Sequence, residues 1–248
     1  MSFLKDLGIG AGTVFKGAAL LKQKRYLKHA IVSMIFNVIA YIVIFYIIFY
    51  YVNPLINSIF PQHISNAWLY YLAKIADYII KIVTWLILVV ILIFTFNSLF
   101  FAIAAPYLDF LVTSVEKNLY NYNPKRNGVK GIVSSCYNSF WNGIWLTVKS
   151  IFWTLLFFPL TFIIPVVGFL PSTLVLSYYL GLSFLIYSAE HRNYSLKELK
   201  KVMRGNKVKT LGMGLVVYFI LFIPFAAIIF VPAGIIAGTM LYNEYIEK

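Results

Sequence analysis

Charge is scarce in this sequence, and acidic charge scarcest of all. Of 248 residues only 12% are charged, and Asp and Glu together number 8. A soluble domain carries about 25% charged and about 45–50% apolar residues. Here 61% are hydrophobic, which leaves too little polar surface to cover a globule in water. The solvent for much of the chain is lipid. Cysteine is nearly absent as well: Cys136 stands alone, which excludes an intrachain disulfide and a cysteine metal cluster. The three histidines, His29, His63 and His191, lie far apart, and neither His-Glu-x-x-His nor Gly-x-Ser-x-Gly occurs. Gly8, Gly10 and Gly12 are followed by Thr13 where a dinucleotide fingerprint needs glycine, and no Gly-Lys-Ser/Thr follows. Catalysis, a bound metal, a cofactor and nucleotide-driven work are therefore not expected.

Basic charge is what remains. The net charge of +13 would suggest nucleic acid in a soluble protein. These Lys and Arg residues sit in the gaps between apolar runs, where membrane orientation accounts for them. Residues 2–23 read as an amphipathic helix on the membrane, with Phe3, Leu7, Val14, Ala18 and Leu21 on one face and Lys5 and Lys16 on the other. The apolar run after the basic N-terminal stretch is too long for a cleavable signal.

Two long spanning helices are expected over 26–60 and 74–105, since their uncharged centres, 30–52 and 82–105, reach the 20 or so residues that cross about 30 Å of hydrocarbon. Between them, 53–73 holds no Lys, Arg, Asp or Glu, as an external loop does. After Pro106, residues 107–120 read as a second amphipathic helix. Leu108, Leu111, Val115 and Leu119 form its apolar stripe, and Asp109, Thr113 and Glu116 its polar one. If that helix lies at the interface the acids are wet; if it lines a vestibule they hold neighbouring cations.

Beyond this point the apolar pieces shorten. Residues 150–164 and 172–188 are separated by Pro159, Pro165, Gly168 and Pro171, and Pro224, Pro232 and Gly234 punctuate a later pair. Short apolar halves favour two Pro-broken hairpins, 132–190 and 210–243, that turn within the bilayer. Two full crossings satisfy the same charge parity, because 117–130 and 190–209 are both basic. Between the hairpins, 191–209 reads as a cytoplasmic helix. Ser195 and Glu198 have the spacing of a capping box, Leu196, Leu199 and Met203 form its inner face, and Gly205 stops it. Gly234-x-x-x-Gly238 offers a small-residue face for close helix contact. Lys149, just before an apolar run, is placed to snorkel toward headgroups. The whole reads as one all-α integral membrane domain, 1–248, with both termini cytoplasmic.

Three stretches carry a family resemblance: FAIAAPYLDFLVTSVE at 101–116, HRNYSLKELKKVMRGNKVKTLGMG at 191–214 and IPFAAIIFVPAGIIAGTMLY at 223–242. In combination they resemble the CysZ sulfate-permease family, the bacterial branch of the etoposide-induced-protein-like membrane proteins. The resemblance implies two long spanning helices with two hemi-penetrating hairpins, a homo-oligomer in the bacterial inner membrane, and sulfate passage that feeds cysteine assimilation. It places an oxyanion at a Pro-Gly-x-Arg-Arg type turn before the first span. Here that piece runs from Lys24 to His29 without Pro-Gly, and Met213 replaces the usual aromatic between Gly212 and Gly214.

Lys24, Arg25 and Lys28 are accordingly the expected anion-binding residues, since a helix N-terminus with an Arg fork suits an oxyanion. Asn37, Asp109 and Glu116 are the expected polar groups of the interior. Partners are sulfate or a similar oxyanion, the lipid bilayer and further copies of the chain, with no nucleic acid. The competing class is a membrane organiser that uses the hairpins to pack partners or lipid.

Topology is directly measurable. In a Cys136→Ser background, Asn57→Cys and Asn127→Cys are expected to label from opposite faces of spheroplasts. Equal labelling of each from both faces would contradict a single orientation.

Overall fold

A computed structural model describes residues 3–52, 54, 74–75, 78–79, 81–85, 104, 106–124, 128–163, 165–221, 223 and 226–247. The described residues are all-helical and divide between two compact units, Asn37–Phe100 and the rest of the chain. Nearly all of the expected external loop at 53–73, and most of the second span expected over 74–105, lie outside the described residues.

Helix α1, Phe3–Leu21, opens the chain. It does not rest on the surface through the expected stripe. Gly10, Thr13, Val14, Gly17 and Leu21 are buried, a 3–4 spacing that gives one face of small residues. Phe3, Leu4 and Phe15 point outward at 58%, 74% and 62% exposure. The small face wins because it lets α1 reach other backbones, a contact that large side chains would forbid. Helix α2, Lys24–Ile47, continues through a π-helical turn at Ile48–Val52. Its first turns pack through Tyr26 and Ala30, both fully buried, against Leu111, Val115 and Ala233. In the unit 37–100 the rest of α2 exposes Ile42, Phe45, Tyr46 and Phe49, and Tyr46 stacks on Tyr50 at 4.6 Å. Apolar side chains exposed around a helix suit lipid on that side.

Helix α3 covers 106–120. Helices α4, Gly128–Ile163, and α5, Pro165–Glu190, form the first hairpin. They are not the short pieces the prolines suggested. At 36 residues α4 is about 54 Å long, against about 30 Å of hydrocarbon. Pro171 sits inside α5 rather than ending it. A mid-helix proline forfeits one backbone hydrogen bond at a cost of about 3 kcal/mol. Breaking the helix in an apolar setting would leave several backbone groups unpaired, at greater cost. Ser172 also donates to the Gly168 carbonyl at 2.9 Å, within the turn that the proline disturbs. Pro232 likewise lies within α8. The hairpins are therefore not Pro-broken at these two positions. Gly168–Glu190 and Ile228–Ile246 are each long and apolar enough to cross a membrane, so shortness no longer argues for a turn at mid-depth.

Helix α6, Leu196–Val202, has the capping box expected of it: Ser195 Oγ accepts from the Glu198 N–H, and Glu198 Oε2 accepts from the Ser195 N–H at 2.7 Å. Leu196, Leu199 and Met203 are buried, as their spacing requires. The helix tightens into a 3₁₀ turn at Met203–Asn206 and resumes as α7, Lys207–Ile220. Helix α8, Ala226–Leu241, follows and ends in a π-helical turn, Tyr242–Ile246.

Glycine sets how closely these helices pack. A Cβ on Gly10 of α1 would lie 1.8 Å from the Lys209 carbonyl oxygen of α7. One on Gly212 of α7 would lie 2.2 Å from the Leu7 carbonyl oxygen of α1. The two helices thus cross glycine against backbone in both directions. Gly214 meets Ser177 of α5 in the same way, at 1.8 Å, and Gly238 meets the Phe184 carbonyl at 2.5 Å. The Gly234-x-x-x-Gly238 face is a packing face against Phe184.

Two alanine substitutions should therefore change stability in opposite directions. Gly214→Ala gains roughly 1 kcal/mol of helix propensity, but forces two backbones apart, an overpacking cost of about 1–3 kcal/mol or more. A net loss of thermal stability in detergent is expected. At Gly12 nothing lies within 4 Å, so Gly12→Ala should gain about 0.5–1 kcal/mol from propensity alone. A stabilised Gly214→Ala protein would contradict the close approach.

Candidate functional site

Acid on an apolar helix must find a partner or stay in water. Asp109 and Glu116 lie seven residues apart on α3, two turns along one face. Their neighbours Leu108, Leu111, Val112 and Val115 are fully buried, and the acids themselves are only 3% and 0% exposed. Helix α3 is enclosed on both its apolar and its acidic sides, so the acids are not wet. Thr113, the third member of the polar stripe, turns onto its own helix and donates to the Asp109 carbonyl at 2.9 Å.

The partners come from the end of α5. After Glu190 the chain makes a tight reversal: Asn193 takes φ 59°, the left-handed conformation that Asn tolerates better than most residues. The Tyr194 N–H then donates to the Ala189 carbonyl and the Asn193 N–H to the Glu190 carbonyl, both at 2.9 Å. That is the hydrogen-bond pattern of a Schellman cap. It turns His191 and Arg192 back toward α3.

His191 sits between the two acids, Nδ1 at 2.5 Å from Glu116 Oε2 and Nε2 at 2.7 Å from Asp109 Oδ1. A neutral imidazole has one donor and one acceptor, so two carboxylates on opposite nitrogens favour the imidazolium. Burial opposes the charge, but hydrogen bonds to Asp109 and Glu116 outweigh it and raise the pKa above the usual value. Because the ring nitrogens point in opposite directions, the two carboxylates cannot converge with the ring on one metal ion.

Arg192 completes the cluster. Its Nη1 donates to Glu116 Oε1 at 2.7 Å and to the Ser188 carbonyl at 3.0 Å. Its Nη2 donates to Asn243 Oδ1 at 2.7 Å and to Glu247 Oε2, and its Nε to Glu247 Oε1 at 2.6 Å. The guanidinium lies between the rings of Tyr122 and Tyr242, 4.1 Å and 4.8 Å from their centroids. Tyr122 donates its hydroxyl to the His191 carbonyl at 3.1 Å. Three acids face two cations, so the cluster is compensated to within one charge when His191 is protonated. A second buried cation, Lys209, donates to Asn206 Oδ1 at 2.6 Å, and its ammonium is 3.5 Å from Asp6 Oδ1.

The sequence-predicted residues thus fall in two places. Asp109 and Glu116 meet at His191. Lys24, Arg25 and Lys28 are exposed at the start of α2, where Arg25 donates to Gln23 Oε1 at 3.0 Å and covers the Tyr26 ring at 4.9 Å. Asn37 is on α2, and its side chain lies outside the described residues. His191, Arg192, Asn243 and Glu247 were not anticipated. The available signal was the His-Arg pair at the end of an apolar run, with two acids elsewhere in need of cations.

Two outcomes follow from the geometry. Arg192→Gln leaves Glu116 with a buried charge it can no longer balance, a loss of about 3–5 kcal/mol, readable as a large fall in melting temperature in detergent. For His191 the folded pKa is raised, so its contribution is full below the unfolded value of about 6.5 and is lost as pH rises through the folded pKa. Wild-type stability should therefore decline on the alkaline side of neutrality, and His191→Gln should flatten that part of the profile. An unchanged profile in the variant would assign the pH dependence to other groups.

No curated protein matches the chain. A family model described as sulfate transporter CysZ/etoposide-induced protein 2.4 matches residues 13–232, a stretch that holds α1 from Thr13, the α3 acids, His191 and Arg192, and most of the second hairpin. The chain belongs to the CysZ/etoposide-induced protein 2.4 family.

Proposed function

We propose that this chain is an inorganic-anion transporter of the bacterial inner membrane, with sulfate as its first substrate and cysteine assimilation as its purpose. The observation that carries the reading is the family match over 13–232. Composition agrees, with 61% hydrophobic residues and a net charge of +13, and so do the helices long enough to cross a bilayer. One copy offers few complete crossings, so several copies together build the conduction path.

The division of cations supports a distinct anion-attracting role at the start of α2. His191, Arg192 and Lys209 are committed to buried carboxylates. Lys24, Arg25 and Lys28 are exposed, and among the described residues none of the three is ion-paired. A sulfate ion that sheds water there exchanges hydration for charged donors. Each unit charge pair at 4 Å is worth about 1 kcal/mol in bulk water and about 4 kcal/mol at an effective dielectric near 20. The Asp109–His191–Glu116–Arg192 cluster serves as the rigid, internally balanced wall beside which such an ion passes.

The test is radiolabelled sulfate uptake into proteoliposomes. Wild type is expected to take up sulfate, and Arg25→Glu with Lys28→Glu to lower uptake by at least about a hundredfold, since attraction becomes repulsion of similar size. Insertion should survive, because Lys5, Lys16, Lys22 and Lys24 keep the positive bias on that side. Undiminished uptake by the double variant rejects the site. No uptake of any oxyanion by well-folded wild type rejects transport and favours a membrane organiser.

A further inference from the structure

Two other lysines are brought together without an acid between them. Lys149 of α4 is half-buried, with its ammonium 4.6 Å from the Trp145 ring centroid. Lys200 of α6 is also half-buried and lies 5.0 Å from the Tyr179 ring of α5. The register of the first hairpin places them at one level. Asn142 Nδ2 donates to Glu190 Oε1 at 2.9 Å, which pins the base of α4 against the end of α5. Lys149 is about two turns up α4 from that bond, and Tyr179 about three turns back along α5.

The two ammonium groups sense each other: burial, then repulsion from Lys149, lowers the pKa of Lys200. The nearby acids are engaged elsewhere, Glu190 with Asn142 and Glu198 with Ser195. Neither lysine has an ion-pair partner among the described residues. Aromatic faces soften the exposed charge without neutralising it. A pair of cations held in this way is stabilised by an anion shared between them.

The surroundings specify what carries that anion. Toward the start of α4 the exposed side chains are aromatic: Tyr137 at 63%, Trp141 at 51% and Trp145 at 53%. Beyond Lys149 they become Phe152 at 61% and Leu155 at 63%. Exposed aromatics and lysine giving way to bare hydrocarbon-like surface is the profile of a membrane–water boundary. A free sulfate or phosphate ion would satisfy the lysines and leave the apolar strip beside them in water. An amphiphile with a phosphate head satisfies both.

We propose that Lys149 and Lys200 together bind the headgroup phosphate of an anionic phospholipid, whose acyl chain lies along Phe152 and Leu155 of α4. The assignment rests on the membrane reading above. It adds a fixed lipid on the outer face of the first hairpin, separate from the basic start of α2.

The test uses full-length protein extracted from carbonate-washed membranes into detergent, with bound lipid read by native mass spectrometry after addition of phosphatidylglycerol or phosphatidylcholine. Wild type should retain phosphatidylglycerol preferentially. Lys149→Gln with Lys200→Gln should weaken that retention about 30-fold, as two interfacial lysines are worth, while the paired Arg substitutions keep it. Lys197→Gln with Lys201→Gln, on the exposed face of α6, should leave it unchanged. Equal retention of both lipids by wild type, or undiminished retention in the Gln pair, overturns the site. Displacement of the lipid by millimolar sulfate reassigns it to a free oxyanion and overturns the lipid assignment. Failure of the membrane reading would be seen separately, as a chain released by the carbonate wash before any lipid is added.

Discussion

Two carboxylates out of reach of water are the constraint around which the larger unit is arranged. Moving one such ion from water into an apolar interior costs several kcal/mol even after relaxation. Asp109 and Glu116 are both buried, so α3 is stable where it lies only if His191 and Arg192 are beside it. That requirement fixes the end of α5, and Arg192 passes it on to Asn243 and Glu247 after α8. Three stretches distant in sequence are thereby held by directional bonds. Replacing the set with hydrocarbon could be neutral or favourable in energy, but hydrocarbon would not specify which turn of α3 faces which residue of α5.

Glycine supplies the complementary constraint. The ionic cluster fixes register, whereas Gly10, Gly212 and Gly214 fix distance, since each faces a carbonyl closer than any side chain would permit. In lipid there is little hydrophobic gain from bringing two apolar helices together, so close packing and directional bonds carry the association. The small face of α1 belongs to this logic. It exposes Phe3 and Phe15, which lipid tolerates, in exchange for backbone contact with α7 and α8.

Features governed by neighbours in sequence were legible. The capping box at Ser195 and Glu198, the inner face of α6 and the pairing of Asp109 with Glu116 on one side of α3 follow from spacings of three to seven residues. Features decided by distant contacts were not. Nothing in the spacing of His191 relative to Asp109, 82 residues away, announces that they touch. Pro171 and Pro232 read as breaks because local propensity disfavours proline within a helix. Packing on both sides, and the cost of unpaired backbone, override that preference. The stripe of α1 was misread for a related reason. Hydrophobicity marks large residues as the buried face, whereas a close helix crossing selects the small ones. The basic start of α2 was visible from composition alone.

The cluster around Arg192 also imposes an order on biosynthesis. Its members leave the ribosome in sequence: Asp109 and Glu116 first, His191 and Arg192 some 75 residues later, and Glu247 a further 55 residues on. During the first interval the two acids have no cationic partner, so α3 is held at the water boundary and cannot yet take its enclosed position. During the second, Arg192 can neutralise Glu116 but lacks its Glu247 clamp. Maturation therefore proceeds from an open, hydrated intermediate to the closed form only after the second hairpin has been made. In the nascent chain, that intermediate is the state exposed to quality-control proteases.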